Sequence, residues 1–219
     1  MTAAAGTPSA TPKTETDTRE RILAVAEQLF AEKGFASTGI DAIARQVGIA
    51  KSVIYYHFRN KKAILDAIIE GFIEETISHK REAGGRLQDL MSAAGLDSGL
   101  HLAIQYMESR LPVLRILARE ALAGRGGSSP LLRFWDNNVG VARELLARLA
   151  PHMTGEQTDQ YFAEMYFLAF LPMIMFFVFA DDWCAHYQLD RARVHEVFVS
   201  AFRSFTRDYV IPRLSKQTN

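Results

Sequence analysis

The chain has 219 residues, 48% of them apolar, enough to bury a sizeable core and to argue against global disorder. Its formal net charge is zero, which argues against a protein basic throughout; yet residues 1–62 hold nine Lys/Arg against six Asp/Glu, leaving an acidic remainder. A basic front on an acidic body predicts an anionic partner for the front alone.

Residues 1–16 are small and polar with two prolines and no apolar h-region. They read as a disordered tail, not a secretory signal. A single cysteine, Cys184, leaves no internal disulfide and suits a cytoplasmic protein. Asp17 and Glu20 then form a capping pair for a first helix whose apolar face is Ile22, Ala26, Leu29 and Phe30. Gly34 has the place of a left-handed C′ residue, and Phe35 can pack back on the helix. A short second helix starts at Thr38 or Gly39 with Ile40, Ile43, Ala44 and Val47 inward, and Gly48 permits a tight turn. A third runs from about Lys51 to Phe58. Two short helices about a glycine turn make a helix-turn-helix.

Asn60 is a good N-cap for a fourth helix reaching about Arg81, before Gly84–Gly85. Further on, Pro112 suits the first turn of a helix with Leu114, Leu117, Ala118 and Leu122 on one face. "GRGGSSP", 124–130, reads as a flexible loop. Helices follow at about 131–150, 156–180 and 190–211, with a Thr154–Gln157 capping box opening the second. No strand alternation interrupts the series, so the expected fold is all-α. The expected organisation is a tail over 1–16, a helix-turn-helix domain over 17–62, a larger helical domain over 63–213 and a tail over 214–219. Residues 165–180 carry no charge, but the run is short for a membrane span and lacks flanking Lys/Arg, so it reads as a buried helix with no membrane partner.

On the third helix, at about 100° per residue, Ile54 and Phe58 face inward while Val53, Tyr56 and His57 share the roughly opposite face. Lys51 and Ser52 occupy the exposed first turn and Tyr55 lies to one side. Hydroxyls, rings and positive charge on one short helix suit double-stranded DNA: Tyr and Ser hydroxyls bond phosphates, lysines neutralise them, and a helix enters the major groove. Lys61, at the start of the fourth helix, adds charge beside backbone N–H donors.

Residues 35–65, "FASTGIDAIARQVGIAKSVIYYHFRNKKAIL", resemble the N-terminal signature of the TetR family of transcriptional regulators in Gly34–Phe35, Thr38, Ile43–Ala44, Val47–Gly48, Lys51, Tyr55 to Phe58 and Lys61. The resemblance implies a nine- or ten-helix homodimer with three helices for DNA, dimerised through a four-helix bundle. It further implies a repressor released from its operator by a small molecule. Thr38, Lys51, Ser52, Val53, Tyr55, Tyr56, His57 and Lys61 are then the expected DNA contacts. Three positions depart from the pattern: Gly39 stands where the family often has a capping Ser or Thr, Ala50 where it often has a capping Ser, and Val53 where it often has Thr. Val53 can touch a thymine methyl but cannot donate a hydrogen bond.

The body is rich in aromatic residues and methionine. The helix over 156–180 is apolar all round and predicts a second subunit to cover it, together with the face Val194, Val197, Phe198, Ala201, Phe202 and Phe205 of the last helix. The same composition predicts an apolar or aromatic effector, with Tyr106, Phe134, Trp135, Asn138, Tyr166, Phe170, Met173 and Phe177 as its contacts and Pro172 as a kink that opens space. Asp181, Asp182, Cys184 and His186 match no zinc spacing, so no metal or cofactor is expected. No P-loop, dinucleotide fingerprint, HExxH or GxSxG is present, and no catalytic residue is assigned. The competing readings are a helical enzyme and a membrane-associated helical module.

Overall fold

The structure is a computed structural model that describes residues 15–84, 93–123 and 129–215. The chain divides into two compact units, residues 1–65 and 66–219, and every regular element among the described residues is helical.

The first unit holds α1 (Glu15–Lys33), α2 (Ile40–Val47), α3 (Lys51–His57) and the start of α4 (Lys61–Gly84). Ile22, Ala26, Leu29 and Phe30 are buried together with Ile43, Ala44 and Val47 of α2 and Ile54 of α3, as helical spacing predicts. Each large aliphatic removed from water contributes about 1.5–3 kcal/mol. Gly34 (φ 83°) and Gly48 (φ 77°) take the left-handed conformation that ends α1 and α2, and the Phe35 ring meets Phe30 edge-on at 5.3 Å. Arg21 donates to the carbonyl of Val47 at 2.6 Å, satisfying one terminal acceptor of α2 from α1. The Asp17 cap is corrected: α1 already begins at Glu15, so Asp17 lies inside its first turn, where the helix dipole favours its carboxylate. The expected tail lies, up to residue 14, outside the described residues.

The second unit contains the rest of α4, then α5 (Ala93–Ser109), α6 (Leu111–Leu122), α7 (Pro130–Leu149), α8 (Gly155–Glu164), α9 (Leu171–Tyr187), α10 (Arg191–Phe205) and α11 (Ile211–Ser215). Thr154 and Gln157 form the expected reciprocal capping box of α8. On α6, Leu114, Leu117 and Ala118 are buried but Leu122 is exposed, because the helix ends there and its face runs out. The glycine-rich loop falls, over 124–128, outside the described residues, as do Gly85 and residues 216–219.

Two π-helical turns, Met165–Phe170 and Thr206–Val210, join α8 to α9 and α10 to α11. Each ends two residues before a proline: Leu171 N–H bonds the Tyr166 carbonyl ahead of Pro172, and Ile211 N–H bonds the Thr206 carbonyl ahead of Pro212. A proline lacks the N–H for the residue four back and its ring crowds that carbonyl. Widening the preceding turn by one residue accommodates both defects.

The run 165–180 is corrected in one respect. It is not fully buried within one chain: Phe167, Leu168 and Phe179 are exposed, and the helix Gly155–Tyr187 is long and apolar enough to cross a membrane. Its other side packs through α9 against α6 and α10. On α10 no residue is fully buried, and Val197 is 63% exposed.

Candidate nucleic-acid interface

α3 presents its face because its two apolar residues are committed elsewhere. Ile54 is fully buried and Phe58, just past the helix, is nearly so, with Arg19 of α1 lying 5.2 Å from the Phe58 ring. That anchoring turns Lys51, Ser52, Tyr55 and Tyr56 to solvent, Tyr55 at 49% and Tyr56 at 72% exposure. Val53 and His57 are only half-buried, so the exposed arc centres on Ser52 and Tyr56 rather than on Val53, Tyr56 and His57. The Tyr56 and His57 rings meet edge-on at 5.2 Å, which limits their motion.

Lys51 is paired with Asp41 of α2 at 3.0 Å, and that hydrogen bond and charge raise the pKa of its ammonium. The pair ties α3 to α2, yet both side chains remain substantially exposed. Gly39 and Ala50 provide no side-chain cap to α2 and α3. Arg45, Arg59 and Lys62 are also exposed and basic. They were absent from the expected contacts because no local pattern separates an exposed arginine that meets a phosphate from one that meets water.

Two expected contacts are corrected. Thr38 is 1% exposed, and its hydroxyl lies 2.9 Å from the Gly34 carbonyl and 3.2 Å from that of Leu29. The side chain is a clip across the α1–α2 turn and offers nothing to an external partner. Lys61 donates to the carbonyls of Phe35 (2.6 Å), Thr38 (2.8 Å) and Ala36 (3.4 Å), with its ammonium 4.3 Å from the Phe35 ring centroid. Its charge is spent on the same turn.

The expected effector residues lie in the second unit and only partly converge. Phe134 stacks on Phe72 at 4.8 Å and on Phe170 at 5.6 Å, and Trp135 and Tyr166 close on Phe170 at 5.1 and 5.7 Å. Tyr106 joins through Phe72, at 6.1 Å. Thr76 Oγ1 donates to the Phe72 carbonyl, so Tyr106 Oη, 3.0 Å away, donates to Thr76. Burial raises the phenol pKa of both Tyr106 and Tyr166. Asn138 is buried and its amide donates to the Phe134 carbonyl at 2.6 Å. Met173 is half-buried on α9. Phe177 stands apart from these rings, packing on Phe176 and Phe198.

Phe72, Phe134, Trp135, Tyr166 and Phe170 thus pack on one another at ring-contact distances. An open volume of about 740 Å³ is lined by Glu108, Leu111, Phe177, Asp181, Arg191 and His195, with Phe177 alone of the expected set. Asp181 is held there by Arg191 at 2.9 Å and Arg115 at 3.4 Å.

The profile of a family described as "Bacterial regulatory proteins, tetR family" matches residues 22–68, the stretch that builds α1 to α3 and enters α4. The chain is similar to the tetR family over this region. Among its relatives, the HTH-type transcriptional repressor KstR2 of Rhodococcus jostii is 35% identical over 80 residues, 36% of this chain and 35% of that protein. The uncharacterized HTH-type transcriptional regulator YerO of Bacillus subtilis is 46% identical over 55 residues, 25% of this chain and 19% of that one. The chain thus matches 35% and 19% of the length of these curated relatives. The solved structure of the fatty acid degradation regulator FadR from Bacillus halodurans superposes with a TM-score of 0.53, over 97% of this chain and 100% of that one, at 14% identity. That likeness shows a shared all-α fold.

Proposed function

We propose that the protein is a ligand-responsive, DNA-binding transcriptional regulator, a cytoplasmic homodimer that acts as a repressor released from its operator by a small, largely apolar effector. The observation that carries the reading is the α3 face: two exposed tyrosines, a serine and a lysine on one helix of a helix-turn-helix, held outward by the burial of Ile54 and Phe58. Hydroxyl and ammonium donors at that spacing suit phosphate oxygens, and the rings suit base edges and sugars. The similarity to the tetR family over residues 22–68 supports it.

A second copy is the partner that suits the uncovered side of α9 and α10. Phe179, Trp183 and Tyr187 recur every four residues along α9, each exposed, and Val197 is exposed on α10. A bilayer would require the whole helix surface to be apolar, whereas α9 carries Asp181 in ion pairs with Arg115 and Arg191. No catalytic role is assigned.

The test is selection of bound duplexes from a random pool by the full chain, followed by gel retardation with the selected duplex. A specific complex that Tyr56→Ala and Ser52→Ala weaken supports the reading. Recovery of no preferred duplex at moderate salt overturns it.

A further inference from the structure

Asn138 lies on the inward face of α7, one turn beyond Phe134 and Trp135 and only 3% exposed. Its amide nitrogen is used, donating to the Phe134 carbonyl, but its Oδ1 is buried with no hydrogen-bond partner. The opposite amide orientation would set Oδ1 against the carbonyl oxygen, acceptor to acceptor, so the orphan is the oxygen. A buried acceptor left unpaired is costly, and an apolar residue of the same size would remove the cost. The neighbouring surface is aromatic: Phe134 and Trp135 precede Asn138 by four and three residues, the spacing at which helix side chains adjoin. Both touch Phe170, and Trp135 also meets Tyr166 at 4.9 Å. Tyr166 and Phe170 both ride on the π-helical turn Met165–Phe170. A shift of that turn to α-helical register rotates them relative to the flanking helix, and such turns recur at functional sites.

We infer that Asn138 is the polar anchor of the effector site, its Oδ1 accepting a hydrogen bond from the neutral hydroxyl or N–H of an aromatic molecule that takes the place of rings carried by the Met165–Phe170 turn. The inference rests on the effector-responsive reading above and specifies the ligand's chemical class. A carboxylate would bring a further acceptor and an uncompensated charge to a buried acceptor. A pure hydrocarbon would leave Oδ1 as it is. A single neutral donor on a flat apolar body satisfies both the oxygen and the rings.

The experiment is equilibrium dialysis of the full chain against 2-naphthol and naphthalene, with thermal melts of wild type and Asn138→Leu. Wild type is expected to bind 2-naphthol roughly tenfold more tightly than naphthalene, the ratio that one hydrogen bond supports. Asn138→Leu is expected to bind the two alike and, freed of the orphan acceptor, to melt at a higher temperature. Equal wild-type affinities, no binding of 2-naphthol, or an unchanged ratio in Asn138→Leu each overturn the inference. So does an Asn138→Leu protein that melts lower or fails to fold, since that shows Oδ1 satisfied within the fold. Binding of the selected duplex is measured on the same preparation. Failure with duplex binding intact overturns this inference alone, whereas absence of duplex binding removes the regulator reading beneath it.

Discussion

The ammonium of Lys61 sits 2.6 Å from the carbonyl oxygen of Phe35 and 4.3 Å from the centroid of the same residue's ring. One lysine at the start of α4 thus holds the turn between α1 and α2 by backbone and side chain together. Charged hydrogen bonds contribute about 1.5–3 kcal/mol and a cation over a ring about 0.5–1 kcal/mol at an exposed site. Lys61→Ala should therefore destabilise the first unit by about 2 kcal/mol, read by chemical denaturation. Its effect on DNA should follow the folded fraction. The slope of log affinity against log salt should stay unchanged; a fall of about 0.9 would instead mark a phosphate contact.

Thr38 and Tyr56 should behave oppositely. Thr38→Val removes a hydroxyl shared between the Gly34 and Leu29 carbonyls and should cost about 1 kcal/mol of stability without changing the selected duplex. Tyr56→Ala, at a position 72% exposed, should leave the melting temperature nearly unaltered and weaken the specific complex by about 1.5–3 kcal/mol, the worth of a hydrogen bond to a charged phosphate. Parallel melts and retardation titrations separate the two; a Thr38→Val protein that folds as wild type but loses DNA binding would reverse the assignment.

Association should depend on α9 and α10. Val197→Glu and Trp183→Glu each place a charge on the exposed apolar side, and an unpaired charge inside an interface is strongly unfavourable. Sedimentation should show wild type at twice the 24.5 kDa chain mass and the variants at one chain mass. A wild type that sediments at one chain mass at micromolar concentration defeats the dimer proposal.

Tyr161 predicts an alkaline transition. It packs partly buried against Leu146, Ala150 and Phe162, and burial pushes its phenol up to about 12 from 10.0. The folded state holds the proton more tightly than the unfolded chain, so the stability is fully present below pH 10 and is lost as pH rises from about 10 to about 12. At 1.36 kcal/mol per pKa unit the loss is about 2–3 kcal/mol. Tyr161→Phe should flatten this slope in denaturant melts between those pH values, and absorbance titration should show one tyrosine ionising only near pH 12. An unchanged slope in Tyr161→Phe would show that its phenol is not the group responsible.

The sequence by itself determined the features that depend on residues within one or two turns of each other. The left-handed glycines 34 and 48, the Asn60 and Thr154 caps, the inward pair Ile54 and Phe58, and hence the outward Ser52 and Tyr56, follow from helix periodicity and terminal hydrogen bonding. Only the tertiary structure decided where a polar side chain spends its hydrogen bonds. Lys61 finds a carbonyl 26 residues upstream, and Thr38 turns its hydroxyl inward because the end of α1 lies beneath it. The aromatic residues of the body were legible as apolar but not as wall or filling. Whether rings enclose space or occupy it depends on how α4, α7 and the turn Met165–Phe170 approach one another, and so does the orphaned oxygen of Asn138 among them. Helix periodicity fixes which side of each helix faces inward; it does not fix the distance between inward faces, which packing sets.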